Sequence, residues 1–263
     1  MELTTSPAVA IERRGAIAII TINNPERMNA LSASVRDALR LAFEGFEDDR
    51  SVRAVVLRGS GNRAFASGGD ISEFPRMDSA AARSNFEKLE ALFAAIERLH
   101  LPVIAMIHGY ALGGGCELAL ACDLRIAASD SKFGIPIGRL GHTLDLASAR
   151  RLVRLIGAPK VKMLLWTDEI IDAGEARRVG LIDEVVSPDE LESYTLSLAS
   201  KIAEKAPLSI AGTKSVLAHV TKHPVARPGE DIAQFAAPLF ETADFKEGVR
   251  AFLEKRKPTF VGQ

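Results

Sequence analysis

Cysteine is scarce: the chain of 263 residues carries two, Cys116 and Cys122. They lie so close along one predicted helix that they point to different faces. No disulfide between them is expected, and a reducing compartment follows. Charge of one sign is also missing. There are 33 lysines and arginines against 34 aspartates and glutamates, a net charge of -1. No basic field recruits nucleic acid or an anionic membrane, so an anionic ligand has to be held by local features. No apolar run is long enough to span a bilayer. The start, "MELTTSPAVAIERRG", lacks the apolar region of a signal peptide, and Glu2 and Glu12 argue against a transit peptide. The expected location is cytoplasmic. The five histidines show no paired zinc spacing and the cysteines no Cys-x-x-Cys, so no metal site is expected. Gly-x-Ser-x-Gly is absent, and "AGTKS" near Lys214 lacks the glycine pattern of a phosphate loop. There is no Gly/Ser linker, low-complexity tract or exact repeat.

What is present reads as alternating strands and helices. "AVAIERRGAIAIITI" alternates on either side of Gly15 and predicts a hairpin. "LSASVRDALRLAFEGFEDD" has helical spacing, with Ser32 or Ser34 as N-cap. "VRAVVLRGSG", "PVIAMIHG" and "DLRIAAS" read as buried strands, and a long amphipathic helix precedes Pro102. From Ala147 onward helix dominates, apart from a short strand in "LIDEVV". Helices are expected in "PDELESYTLSLASKIAEKA", "APLSIAGTKSVLAHVTK", "EDIAQFAAPLFET" and "DFKEGVRAFLEKRK", with "TKHPVARPGED" the loosest stretch. This rhythm predicts an α/β core in one domain with a helical C-terminal portion.

Two strands end in glycine clusters, "LRGSGNRAFASGGDISEF" and "GYALGGGCELALACD". Glycine lets backbone N–H groups approach a ligand closely, and a helix start presents unpaired N–H groups at the positive end of its dipole. Two such groups aimed at one point form an oxyanion hole. Tight turns are the plainer alternative. The run from Gly59 to Ala64 fits a dinucleotide-binding turn, but "NRAFASGGD" allows no helix to begin there. The second cluster places Glu117 at the head of an otherwise apolar segment. A first-turn acid that merely complements the helix dipole is one reading of it; a reacting carboxylate is the other.

"AFASGGDISEF" and "HGYALGGGCELALACDLRIAA" together resemble the enoyl-CoA hydratase/isomerase family, the crotonase fold. "NNPERMNAL", "SKFGIP", "ARRLVRLIGAPKVKMLLWTDEIIDAGEARRVGLIDEVV" and "FKEGVRAFLEKRKPTF" continue the likeness in order along nearly the whole chain. The resemblance implies one domain over 1–263, a spiral of ββα units over about 1–195 and a helical trimerisation region over about 196–263. It also implies an acyl-CoA thioester substrate, no cofactor beyond the CoA carried by that substrate, and a homotrimer or hexamer. By position, Gly69 and Gly114 supply the oxyanion-hole N–H groups. Each such donor contributes on the order of 3 kcal/mol to a transition state. Ser67, Gly68, Gly69, Asp70 and Ile71 line the CoA path, with Asp70 organising the loop. Arg27 matches a basic position near the CoA phosphates; a solvated turn charge is its alternative. Glu117 matches one of the two catalytic glutamates of family hydratases.

The sequence departs from the pattern at Ile137, where family hydratases carry the second glutamate. Isoleucine neither transfers a proton nor holds a water. Three readings follow: a hydratase working with Glu117 alone or with a substitute acid, a double-bond isomerase shuttling a proton on one carboxylate, or a catalytically silent acyl-CoA-binding protein. Asp145, eight positions beyond Ile137, falls where dienoyl-CoA isomerases place a catalytic aspartate and aryl-CoA dehalogenases a nucleophilic one. The sole tryptophan, Trp166, lies outside the segment a dehalogenase requires. Asp145 also reads as an N-cap for "LASARRLVRLIG", and His142 shares its loop. The expected activity is hydratase-like, through a thioester enolate.

Overall fold

The computed structural model describes residues 7–222 and 236–263. The predicted hairpin is present: β1 (Val9–Arg14) and β2 (Ile17–Ile22) pair antiparallel, and Gly15 turns the chain at φ +60°. Helix α1 (Ala33–Glu44) follows, with Ser32 rather than Ser34 as its N-cap, accepting from the Val35 amide.

The chain then repeats one pattern three times. A buried strand is followed by a three-residue strand in a second sheet and then a helix. The first unit is β3 (Ala54–Gly59), β4 (Ala64–Ala66) and α2 (Ser79–Arg98). The second is β5 (Val103–Ile107), β6 (Tyr110–Leu112) and α3 (Gly114–Ala121). The third is β7 (Leu124–Ala128), β8 (Lys132–Gly134) and α4 (Leu146–Thr167). After β9 (Ile171–Asp172), α5 (Ala173–Arg178) and β10 (Glu184–Val186) come α6 (Leu191–Ala203), α7 (Pro207–Lys222) and α8 (Ala243–Leu253). One sheet has the order β1-β2-β3-β5-β7-β10 and the other β4-β6-β8-β9. Because β3, β5 and β7 pair in parallel, as do β4, β6 and β8, each unit stacks on the one before. That stacking is the spiral of an α/β crotonase-like fold.

Both faces of the first sheet are covered. In β2, Ala18, Ile20 and Ile22 point into the main core, whereas Ile17 and Ile19 pack with Leu191 and Ala199 of α6. Alternate strand residues face opposite sides, so a strand buried on both faces must be apolar throughout. This explains why β3 and β5 read as continuous apolar runs.

Apolar periodicity did not show the second sheet, which only the ββα units of the resemblance implied. Its strands of two or three residues are too short to show any alternation. Residues 230–235 of the helix expected in "EDIAQFAAPLFET", with His223 and nearly all of "TKHPVARPGED", lie outside the described residues. The described end of that segment, Ala237–Glu241, forms a 3-10 turn.

Candidate active site

The two glycine clusters meet where β4 and β6 run side by side. Gly68 sits at φ +97°, and a Cβ there would lie 2.9 Å from the Leu112 carbonyl oxygen and 3.2 Å from the Gly114 nitrogen. Gly113 N-caps α3 at φ 51° and ψ -128°, a conformation that only glycine adopts readily. A Cβ on Gly115 would meet the Ala66 carbonyl oxygen at 2.1 Å, so the first turn of α3 lies directly on β4. The loop after β4 is held from the other side by Leu31, whose amide donates to the Gly68 carbonyl at 2.7 Å. Gly114 is the first residue of α3, so its N–H has no acceptor within the helix. Among the described residues neither the Gly69 nor the Gly114 amide has a backbone acceptor elsewhere. A Cβ placed on Gly114 would lie 3.7 Å from the Gly69 nitrogen and 3.7 Å from Glu117 Oε2. The two amides and the carboxyl therefore border one small space.

Glu117 is buried in the first turn of α3, 7% exposed. One helical turn brings its side chain back over Gly114. Burial pushes its carboxyl up to about 7; the neighbouring charge of Asp145 pushes the same way, against a hydrogen bond from Ser148 and the charge of Arg151. A carboxyl tuned to neutrality, beside donors able to hold an anion, can both take and return a proton near pH 7. Cys116, next to it in sequence, and Cys122, at the far end of α3, are free thiols that burial pushes up to about 12, which leaves them unreactive.

Asp145 is the N-cap of α4, as its helix position suggested. It accepts from the Ala147 amide at 2.7 Å, the Ser148 amide at 2.9 Å and the Ser148 hydroxyl at 3.1 Å. It is at the same time one of the charges acting on Glu117. Capping and proximity to the buried glutamate thus coexist in one residue. Ile137 is buried in the main core. The 3-10 turn behind it, Gly138–Leu140, is held by Asp168, which accepts the Gly138 and Arg139 amides at 3.0 and 2.9 Å.

Arg27 is exposed, and its Nη1 donates to Asp70 Oδ2 at 2.6 Å. Asp70 caps the 3-10 turn Ile71–Arg76. The Ser72 hydroxyl and amide, with Arg27 beside them, hold its carboxyl below the usual range. The Ser67 amide donates to the Met28 carbonyl at 3.0 Å, which straps the loop to the turn bearing Arg27. Ile71 is exposed. Phe74 lies beneath Gly69 and meets His142 edge-on, with ring centroids 6.1 Å apart, so the two loops touch across the site.

Sequence reasoning missed the polar wall behind Glu117. Ser148 is fully buried in α4, and Arg151, one turn on, reaches Glu90 at 2.9 Å and Glu97 at 2.7 Å on α2. The available signal was an Asp-x-x-Ser-x-x-Arg spacing, which places all three on one side of a helix start.

A family model described as enoyl-CoA hydratase/isomerase matches residues 12–263. The chain is 37% identical to the crotonyl-CoA hydratase of Syntrophomonas wolfei over 255 residues, 97% of this chain and 98% of that one. It is 36% identical to the short-chain-enoyl-CoA hydratase of Clostridium acetobutylicum, covering 95% of each chain. The crystal structure of an enoyl-CoA hydratase/carnithine racemase from Magnetospirillum magneticum matches with a TM-score of 0.93 at 34% identity, over 98% of this chain and 97% of that one. Agreement that runs almost from end to end, in sequence and in fold alike, establishes that the chain belongs to the enoyl-CoA hydratase/isomerase family.

Proposed function

We propose that the chain adds water reversibly to a 2-enoyl-CoA by way of a thioester enolate. The observation that carries this reading is the buried Glu117 carboxyl, tuned to about 7, bordering the same space as the Gly69 and Gly114 amides. The relatives named as crotonyl-CoA and short-chain-enoyl-CoA hydratases support it. Arg27 and the loop Ser67, Gly68, Gly69, Asp70 and Ile71 form the CoA side of the site. The CoA enters with the substrate, and no other cofactor is required.

With Ile137 in place of a second acid, one carboxylate performs both proton transfers. The ionised Glu117 takes a proton from water as the water oxygen bonds to the β-carbon. The double-bond electrons move to the thioester oxygen, where the Gly69 and Gly114 N–H groups hold the enolate. The enolate then collapses, and its α-carbon takes the proton back from Glu117. Water has been added, and the carboxylate is restored. Dehydration is the same path in reverse and also starts from ionised Glu117.

The test is crotonyl-CoA hydration, followed by loss of the conjugated-thioester absorbance and by a product heavier by one water. Absorbance that stays constant, with no hydrated product, defeats the proposal. Ile137 favours one competing reading, double-bond isomerisation, which needs a single proton shuttle. That reading gains if a 3-enoyl-CoA is converted to the conjugated thioester while crotonyl-CoA is not hydrated. Binding of acyl-CoA without either reaction defines the silent alternative.

The same proposal includes a cytoplasmic protein working as a homotrimer or hexamer, with α7 and α8 in the subunit contacts. Support comes from apolar side chains that α8 leaves exposed, among them Phe245, Val249, Phe252 and Leu253.

A further inference from the structure

We propose that the Leu31 backbone amide is a positioning group for the oxyanion hole, presented by residues 27–31 as a rigid template. This deepens the enolate reading above and rests on it. The template is the centre of the stretch "NNPERMNAL". Its backbone is strained: Met28 and Asn29 stand consecutively at φ 51° and 55°. Asparagine tolerates this left-handed region through its short polar side chain; methionine has no such means. Strain of this kind persists only where surrounding contacts fix it. Asn29 supplies them. It is fully buried, and its Nδ2 donates to the Ser60 carbonyl at 2.9 Å and the Ala64 carbonyl at 2.7 Å. Its Oδ1 accepts from the Asn24 amide at 3.0 Å and the Ser60 hydroxyl at 3.3 Å. The Leu31 side chain lies in the main core, and its carbonyl accepts from the buried Arg36 at 2.8 Å.

The template runs beside β4 and the loop that follows it. Asn29 holds β4 at Ala64, Met28 holds the Ser67 amide at 3.0 Å, and the Leu31 amide donates to the Gly68 carbonyl at 2.7 Å. Leu31 and Gly69 pair there as an isolated parallel bridge. The Gly68 carbonyl and the Gly69 N–H belong to one peptide plane. A hydrogen bond accepted by that carbonyl fixes the plane and polarises the N–H on its other side. Leu31 therefore both aims the Gly69 donor and strengthens it, without touching the substrate. The second donor is supported in the same way. The Gly113 carbonyl, in the plane of the Gly114 N–H, accepts from the Glu117 amide at 3.1 Å. There the helix α3 provides the support. Gly69 precedes the cap of its 3-10 turn and has no helix to do so, and the template takes that part.

The test replaces single amides by esters. Leucic acid at position 31 exchanges the N–H for an oxygen and keeps the side chain. Lactic acid at position 30 is the comparison, because the Ala30 amide donates at 3.0 Å to the Arg27 carbonyl inside the template. The readout is the carbonyl stretch of bound butyryl-CoA, isotope-labelled at the thioester carbon; this saturated ligand cannot be hydrated. In wild type the band lies below its free-solution position, drawn down by the two donors. The position-31 ester should return it partway. Its kcat for crotonyl-CoA should fall about tenfold with KM within about twofold of wild type. The position-30 ester should leave the band in place, whatever its melting temperature. An unmoved band in the position-31 ester, or an equal move in both esters, overturns the proposal. If that ester does not fold, wild type labelled at the leucine nitrogens decides. Polarisation runs both ways, so the Leu31 amide proton, assigned by its loss in Leu31→Ile, should move downfield with butyryl-CoA and not with CoA, which lacks the carbonyl. No such movement overturns the proposal equally. A wild-type band at the free-solution position overturns the oxyanion assignment and this proposal with it. A wild type with a lowered band that hydrates nothing overturns the hydratase reading alone and leaves the two esters to decide this one.

Discussion

At the scale of the residue, Glu117 is a group that stability alone would not keep. Its carboxyl is raised from 4.5 to about 7, so the folded protein binds the proton more tightly than the unfolded chain. The cost is absent at low pH, grows as pH rises past the unfolded value, and is complete above about 7. It amounts to about 3 kcal/mol at pH 8. Glu117→Gln is therefore expected to melt several degrees higher than wild type at pH 8, with less than half that gap at pH 5. The same variant should lose activity by roughly two to four orders of magnitude. Calorimetry at the two pH values, beside turnover, checks both halves; equal melting at pH 8 would mean the carboxyl is not burdened by burial. Glu117 was legible in the sequence because a glutamate at the head of an apolar helix is locally anomalous. Ser148 was not. It lies 31 residues further on, and only the fold packs α4 against α3.

At the scale of the element, α3 and its glycines form a start that tolerates side chains at some positions and not at others. Gly114 has ordinary contact distances around an added Cβ, the nearest being 3.7 Å to Glu117 Oε2. Gly114→Ala should therefore fold, with the methyl standing in the space bordered by the two amides. A loss of about a hundredfold or more in kcat/KM is expected with no drop in melting temperature. Gly115→Ala meets the Ala66 carbonyl at 2.1 Å and should instead cost stability, since backbone on backbone cannot give way. Full activity in Gly114→Ala would remove that space from the mechanism. The hairpin, α1, α2 and the long strands were visible from apolar periodicity and caps. The second sheet was not, because β4, β6, β8 and β9 are registered by their neighbours along the spiral rather than by any pattern of their own. Its consequence is large: pairing of β4 with β6 is what sets Gly68 beside Gly114.

At the scale of the whole molecule, the spiral buries its own core yet leaves large apolar side chains outside. Phe252 is 83% exposed, Trp166 78% and Leu253 74%, in a chain whose net charge is -1 and offers little repulsion between copies. Isolated apolar side chains are ordinary on any surface. Here Phe245, Val249, Phe252 and Leu253 fall together on α8, at spacings that share one side of the helix. Packing such a stripe on a different face of another copy generates a ring where the rotation closes, and the trimer or hexamer proposed above requires a contact of that kind. Light scattering at micromolar concentration should return three or six times 28.3 kDa. A double substitution, Phe252→Asp with Val249→Asp, places charge on the stripe without touching the core or the Glu117 network. It should shift the assembly toward smaller species while the folded chain remains. A wild-type mass of 28.3 kDa would show that α8 covers nothing and would remove the helical end from any role in assembly.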